Sequence, residues 1–180
     1  MLCEEGIKGR MMKKVKEILM SLPFFITVLV ILIYIALFMK KKLSFTANFI
    51  QFIVLSIIST NYITIMTNNL EWMKASEDVT QFISLLINRE CILPLVGVIM
   101  VNGYMNYKRR SEKILCYVSL LVFISILDVL HVYFHSLSYP DWSLLNTVIV
   151  NGLYLLLCIW MGMGLYYFQK KEEGRHGQDI

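Results

Sequence analysis

Asp128, His131 and His135 stand three and four residues apart. On a helix that spacing sets a carboxylate and two imidazoles along one face. Three such groups could hold a cation or relay a proton. Earlier in the chain, Asn88, Arg89 and Glu90 are consecutive in an otherwise apolar run, and Asn151 interrupts another. Adjacent helical residues point about 100° apart, so Arg89 and Glu90 do not face one another and each needs a partner elsewhere. One helix rarely supplies a whole metal site, and the remaining histidine, His176, lies at the far end of the chain. Interhelical hydrogen bonding is therefore the plainer reading of Asp128, His131 and His135. A proton or cation site comes second and a catalytic metal last. Cys3, Cys91, Cys116 and Cys158 have no metal-type spacing and read as small packing residues. There is no Gly-rich phosphate loop, no G-x-S-x-G and no H-E-x-x-H. With no nucleophile–base set in view, the chain reads as a protein that is not an enzyme and needs no cofactor or metal.

Composition says what must position these groups. Of 180 residues, 57% are hydrophobic and only 17% charged, where soluble domains carry roughly 25% charge. Mean hydropathy is +0.62. These values exclude a disordered tail, a collagen-like chain and a nucleic-acid-binding module, and point to a polytopic membrane protein. About 20 apolar residues cross roughly 30 Å of hydrocarbon as a helix. Five stretches qualify: 20–39, 44–66, 81–106, 114–135 and 143–168. The expected fold is therefore all-α, a transmembrane helical bundle of five spans, with the lipid bilayer as its first partner. The basic arm 1–19, the loop 67–80 and the charged tail 169–180 are each too short to bury a core. The first stretch follows lysines as a signal peptide would, but no small-residue cleavage site follows it and it ends in Lys40-Lys41-Lys42, so it reads as a retained helix.

Basic residues orient the spans. One side collects Lys40, Lys41, Lys42, Lys108, Arg109, Arg110, Lys113, Lys170, Lys171 and Arg175, against six basic residues on the other, five of them in the N-terminal arm. This puts the C-terminus in the cytoplasm and the N-terminus outside. Initiation at Met11 or Met12 would sharpen the asymmetry by removing Lys8 and Arg10. If the second stretch only lay in the interface, four spans would remain and the N-terminus would turn inward.

The last four spans each carry a polar stripe at helical spacing: Asn48, Gln51, Ser59 and Tyr62; Gln81, Ser84, Asn88, Asn102 and Asn106; Ser125, Asp128, His131 and His135; Thr147, Asn151, Tyr154, Cys158 and Gly162. Such faces turn toward other helices, because an unpaired polar group in lipid costs several kcal/mol. Counted from the outer ends, Thr27, Asn61, Asn88, Arg89, Glu90, Asp128, His131 and Asn151 all fall roughly 6–14 Å deep. They form one expected buried layer, with His135 at its edge and Asp128 as the natural partner of Arg89. A charge near a helix centre costs about 2.5–3.5 kcal/mol on insertion. The alternative is a third helix that begins near Cys91 and leaves Arg89 and Glu90 among the headgroups.

The basic first turn Lys40-Lys41-Lys42-Leu43-Ser44, Pro94 and Asn102 in the third span, the turn Lys108–Lys113, Asp128 and the aromatic turn Tyr139–Trp142 resemble a family of small multi-span membrane proteins of spore-forming bacilli and clostridia. The resemblance covers residues 25–168 and implies a Gram-positive cell membrane and no assigned activity. Arg89, Glu90, His131 and His135 depart from the pattern, so no functional residue carries over. The expected function is that of a non-enzymatic accessory component, binding a protein partner or a second copy within the membrane. The alternative is a small ion- or proton-coupled transport protein using Glu90, Asp128 and His131.

Overall fold

The computed structural model describes the backbone of residues 2–176 and the side chains of residues 20–171. The chain is 82% helical. Helix α1 spans Leu2–Phe38, α2 Phe45–Thr64, α3 Val79–Leu86, α4 Leu93–Asn106, α5 Arg110–Tyr133 and α6 Leu144–His176. A π-turn, Ile65–Asn69, extends α2, and a second, Ile87–Ile92, joins α3 to α4 as one continuous rod. Five segments are long and apolar enough to cross a membrane: Met20–Phe38, Phe45–Asn69, Val79–Asn106, Arg110–Tyr133 and Leu144–Lys171. They meet the expected stretches within a few residues. The third begins at Val79, well before Cys91, so Arg89 and Glu90 lie inside a helical rod and not at its start. Side chains of the arm 1–19, and the last four residues of the tail, lie outside the described residues.

The third segment is the axis. Its central window is 56% buried, against 17–28% for the other four, and it packs on α1, α2, α5 and α6. Ile92, Leu93, Val96 and Met100 meet Phe25, Leu127 and Leu155 in the core. At Gly97 three helices pack tightly. A Cβ there would stand 2.6 Å from Leu55 Cδ1 of α2 and 2.8 Å from Cys158 Sγ of α6.

Local sequence explains the π-turn in this rod. Pro94 has no N–H to donate to the Glu90 carbonyl four residues back, and its ring crowds that carbonyl. The helix widens just ahead of the proline, and the Ser56 hydroxyl of α2 donates to the freed Glu90 carbonyl at 3.1 Å. The widened turn also lets two consecutive residues, Asn88 and Arg89, both point into the protein.

Outward polar residues satisfy themselves. Thr27 donates to the Pro23 carbonyl at 2.8 Å, Asn61 to Ile57 at 2.9 Å and Thr64 to Thr60 at 2.8 Å, all one turn back on their own helices. Thr27 and Asn61 therefore do not join the buried layer that counting from the span ends placed them in: helical rotation, which depth leaves out, turns them outward. Around them the surface is apolar, with Val30, Leu37, Val122, Leu145 and Trp160 all exposed.

The two ends are built differently. At the lysine-rich end, Asn102 accepts the backbone N–H groups of Lys42 and Leu43 at 2.9 and 3.3 Å, and donates to Asn48 Oδ1 at 2.6 Å and to the Val98 carbonyl at 2.9 Å. Asn48 donates in turn to the Leu43 carbonyl, and Asn106 to that of Lys40. The turn between α1 and α2 is thus pinned by side chains of α2 and α4. At the opposite end, β1 (Lys74–Ala75) pairs antiparallel with β2 (Leu137–Ser138). Trp72 stacks on Trp142 with centroids 5.5 Å apart, and Met73 and Leu137 are buried beneath. Gln81 donates to the Phe134 carbonyl at 2.7 Å. The loops that the sequence reading left without structure therefore bury apolar side chains jointly, although neither could do so alone.

Candidate functional site

The polar centre lies where the π-turn of the third segment meets α5 and α6. Arg89 Nη2 donates to Asp128 Oδ1 at 2.8 Å, and each residue is 2% exposed. Asn151 Nδ2 donates to the other carboxylate oxygen at 2.7 Å. Both oxygens of Asp128 are thus engaged, by a guanidinium from one helix and an amide from another. This is the one ion pair among the described residues. A buried charge that lacks its partner carries a desolvation penalty of several kcal/mol, so the three residues hold their positions jointly.

Not every expected member joins them. Asn88 is buried and its Oδ1 has no hydrogen-bond partner. Glu90 is exposed, and its carboxylate has no hydrogen bond or ion pair among the described residues. It leaves the buried layer because the turn that sets Asn88 and Arg89 inward carries the next residue round to the outside. His131 is fully buried, but its ring lies flat on Phe25 of α1, with centroids 4.0 Å apart and planes 7° apart. Neither of its nitrogens has a partner. It serves as an aromatic filler between α1 and α5.

His135 also departs from the layer. Helix α5 ends at Tyr133, and His135 adopts φ 57°, the left-handed region. Its N–H bonds the Val132 carbonyl at 3.0 Å, and the Ser136 N–H bonds the His131 carbonyl at 2.9 Å. That pair of bonds is the helix stop usually built on glycine. His135 is exposed and no longer shares a face with Asp128 and His131. No group of three His, Cys, Asp or Glu side chains capable of holding a metal occurs among the described residues. His135→Gly is expected to hold or raise stability by up to about 1 kcal/mol, since glycine takes a left-handed conformation without the cost a Cβ imposes. Denaturant titration of the purified protein measures this. A loss above 1 kcal/mol would show that the imidazole has a role beyond ending the helix.

Three tyrosines surround the ion pair within electrostatic reach of Arg89: Tyr62, Tyr139 and Tyr154. Tyr139 belongs to the connection after β2. Burial pushes its phenol up to about 12, with the Asp128 carboxylate adding to the rise and the Arg89 charge opposing it. The phenol therefore stays protonated at neutral pH and adds no charge to the centre.

Beside the pair lies a cavity of about 300 Å³. Arg89, Ser59, Tyr62, Asn151 and Tyr154 line it together with Ile58, Leu93, Val150, Leu153 and Leu157, and the surface it exposes is almost wholly apolar. It occupies the gap between α2 and α6, which touch nearer the lysine-rich end through Gln51, Leu55 and Cys158. Sequence reading found Ser59, Tyr62, Asn151 and Tyr154 in separate stripes and Arg89 in the buried layer. It missed the cavity because a gap between helices depends on where two rods cross, and stripes do not encode that. No family model matches the chain, and no curated protein or solved structure is significantly similar to it.

Proposed function

We propose that this chain is a five-span membrane protein of a bacterial cell membrane that performs no chemistry and works by binding a different protein within the bilayer. Glu90 carries the reading. Its carboxylate is exposed on the third segment, eleven residues along a rod that starts at Val79. At about 1.5 Å per residue that is some 16 Å from the helix start, inside the hydrocarbon. An ionised group there is too costly to face lipid alone.

The surroundings suit a partner helix. Helices α1 and α2 barely touch, so a groove runs between them with the third segment at its back. Phe45, Phe49, Phe52, Ile33, Leu37 and Leu95 line it, and Glu90 lies farther along the same rod. A second copy of this chain would set carboxylate against carboxylate, because Arg89 is buried and spoken for by Asp128. The groove suits a helix with Lys or Arg at matching depth, which makes the partner a different protein. The distribution of basic residues favours a bilayer with the lysine-rich end in the cytoplasm, and the resemblance to small membrane proteins of spore-forming bacilli and clostridia supports a bacterial cell membrane.

A proton- or cation-coupled carrier built on Glu90, Asp128 and His131 has less support. Glu90 points away from the other two, Asp128 is already held by two donors, and His131 is packed flat against Phe25.

The test is site-specific photocrosslinking in native membranes, with the crosslinker at Ile83, two turns from Glu90, and at Val122 on α5 as control. A discrete adduct at Ile83, absent at Val122, lost in Glu90→Leu and free of a second tagged copy, is the expected result. An adduct made of two copies, or one indifferent to Glu90, would overturn the reading.

A further inference from the structure

A separate groove, of about 440 Å³, runs between α5 and α6. One face of each helix lines it. Arg110, Lys113, Ile114 and Tyr117 of α5 follow one another at helical spacing, and Leu156, Ile159, Trp160 and Met163 of α6 repeat the same pattern. The groove is charged at one end only. Arg110 and Lys113 occupy its lysine-rich end. Tyr117 lies two turns along α5, about 10 Å deeper, and its hydroxyl bridges to the Gly152 carbonyl of α6 at 2.9 Å. Between these ends the wall is apolar: Ile114, Leu156, Trp160 and Met163 are exposed, with Ile159 buried beneath them.

Neither cation has an anion to meet. The one ion pair among the described residues is that of Arg89 with Asp128. The Lys113 ammonium stands 4.6 Å from the centroid of the Tyr104 ring, which holds it over the groove without neutralising it. Glu112, between the two in sequence, turns the other way. It lines the cavity toward α1 with Ile35 and Met39, and its carboxylate accepts the Arg109 N–H at 3.4 Å. No Asp or Glu lines the groove itself.

Two unpaired cations at the mouth of an apolar slot fit an amphiphile with an anionic head. A phosphodiester takes charge-assisted hydrogen bonds from guanidinium and ammonium groups, and an acyl chain covers the aliphatic wall. Net charge selects among phospholipids. A zwitterionic head brings its own cation, for which the groove has no acid. A head with an uncompensated phosphate, as in phosphatidylglycerol, meets no such repulsion. Basic pockets between helices at a membrane surface recognise heads of this kind.

We propose that the groove between α5 and α6 binds an anionic phospholipid, its phosphate at Arg110 and Lys113 and an acyl chain along Leu156 and Trp160. The site rests on the helices crossing a bilayer but not on the partner groove, because Glu90 lies outside it.

Trp160 makes the site measurable. The other two tryptophans, Trp72 and Trp142, stack on each other at the opposite end. The full-length protein is reconstituted in phosphatidylcholine vesicles at about 0.15 M salt, where exposed charges beyond about 8 Å are screened. Part of the lipid is then replaced by brominated phosphatidylglycerol or brominated phosphatidylcholine, and tryptophan quenching is followed. The difference between the parent and Trp160→Phe gives the Trp160 signal. Brominated phosphatidylcholine is expected to quench it, and no quenching would overturn the membrane reading on which the site rests. Phosphatidylglycerol is expected to be preferred at Trp160 by at least about five-fold, the contribution of one basic residue near a membrane surface. Trp160→Phe, in which only the opposite end reports, is expected to show no preference. Arg110→Gln with Lys113→Gln is expected to abolish the preference at Trp160. Lys40→Gln with Lys41→Gln removes the same charge from the same end outside the groove and is expected to keep it, as is Glu90→Gln. Excess glycerol phosphate, a head without chains, is expected not to displace the lipid. Quenching without preference, a preference that survives loss of both groove cations, one lost equally with Lys40 and Lys41, or displacement by glycerol phosphate would each overturn the proposal.

Discussion

Replacing either Arg89 or Asp128 by leucine is expected to cost about 3–5 kcal/mol of stability, and replacing both is expected to return most of that loss. The asymmetry follows from burial. Each side chain is 3% exposed, so removing one strands a charge where water cannot reach it, whereas removing both leaves an apolar pair in the same space. Recovery will be incomplete for a specific reason. Asn151 donates to the second oxygen of Asp128 at 2.7 Å, and in the double variant that amide has no acceptor, a cost of about 1–3 kcal/mol. Adding Asn151→Leu should therefore make the triple variant more stable than the double. Denaturation in detergent, followed by circular dichroism, gives all four differences. If the two single losses merely add, the pair is not coupled and the centre is not built as described.

The second large effect is expected at Asn102, well away from the ion pair. One side chain there accepts two backbone N–H groups and donates to Asn48 and the Val98 carbonyl. Asn102→Leu removes the acceptor for Lys42 and Leu43 and leaves the buried Asn48 oxygen without its donor. Losing a buried partner costs about 1–3 kcal/mol per stranded group. The total should approach 3 kcal/mol, with the Lys42 amide free to find water. The loss should be local: amide exchange of Leu43 should accelerate much more than that of Leu127 in the core. Equal acceleration at both positions would mean that Asn102 supports the whole fold and not the turn.

The sequence carried much of this architecture in its hydropathy. The five segments follow from runs of apolar residues, since length and hydropathy are linear properties of the chain. The pairing of Arg89 with Asp128 followed from cost and depth: two charges at one level of neighbouring antiparallel helices have few other partners. Glu90 and His135 show where linear reading stops. Depth along a helix is one coordinate, and rotation about its axis is another. Asn88, Arg89 and Glu90 lie at nearly one depth, yet the turn ahead of Pro94 sends the first two inward and leaves the third outside. His135 continues an i, i+3, i+7 pattern with Asp128 and His131, but a pattern does not say where the helix stops, and histidine is not the residue that announces a left-handed cap. The strand pair was illegible for a different reason. Lys74–Ala75 and Leu137–Ser138 are two-residue strands far apart in sequence, each too short to show alternation, and they exist because the helix ends bring them together.

The position of the ion pair along the chain has a consequence for biosynthesis. Arg89 leaves the ribosome before Asp128 and Asn151, because the chain is made from its N-terminus. For that interval the third segment holds an unneutralised guanidinium and the exposed Glu90, each costing about 2.5–3.5 kcal/mol to insert, with the counter-charge not yet synthesised. Its own Leu, Ile and Val residues return only a few tenths of a kcal/mol each. In the five-span arrangement proposed above, the segment that forms the axis thus enters the bilayer at a cost that its own side chains only partly return. Its final seat is fixed only once the fourth segment arrives, and a nascent chain halted between Asn106 and Asp128 should still expose it to the translocation machinery.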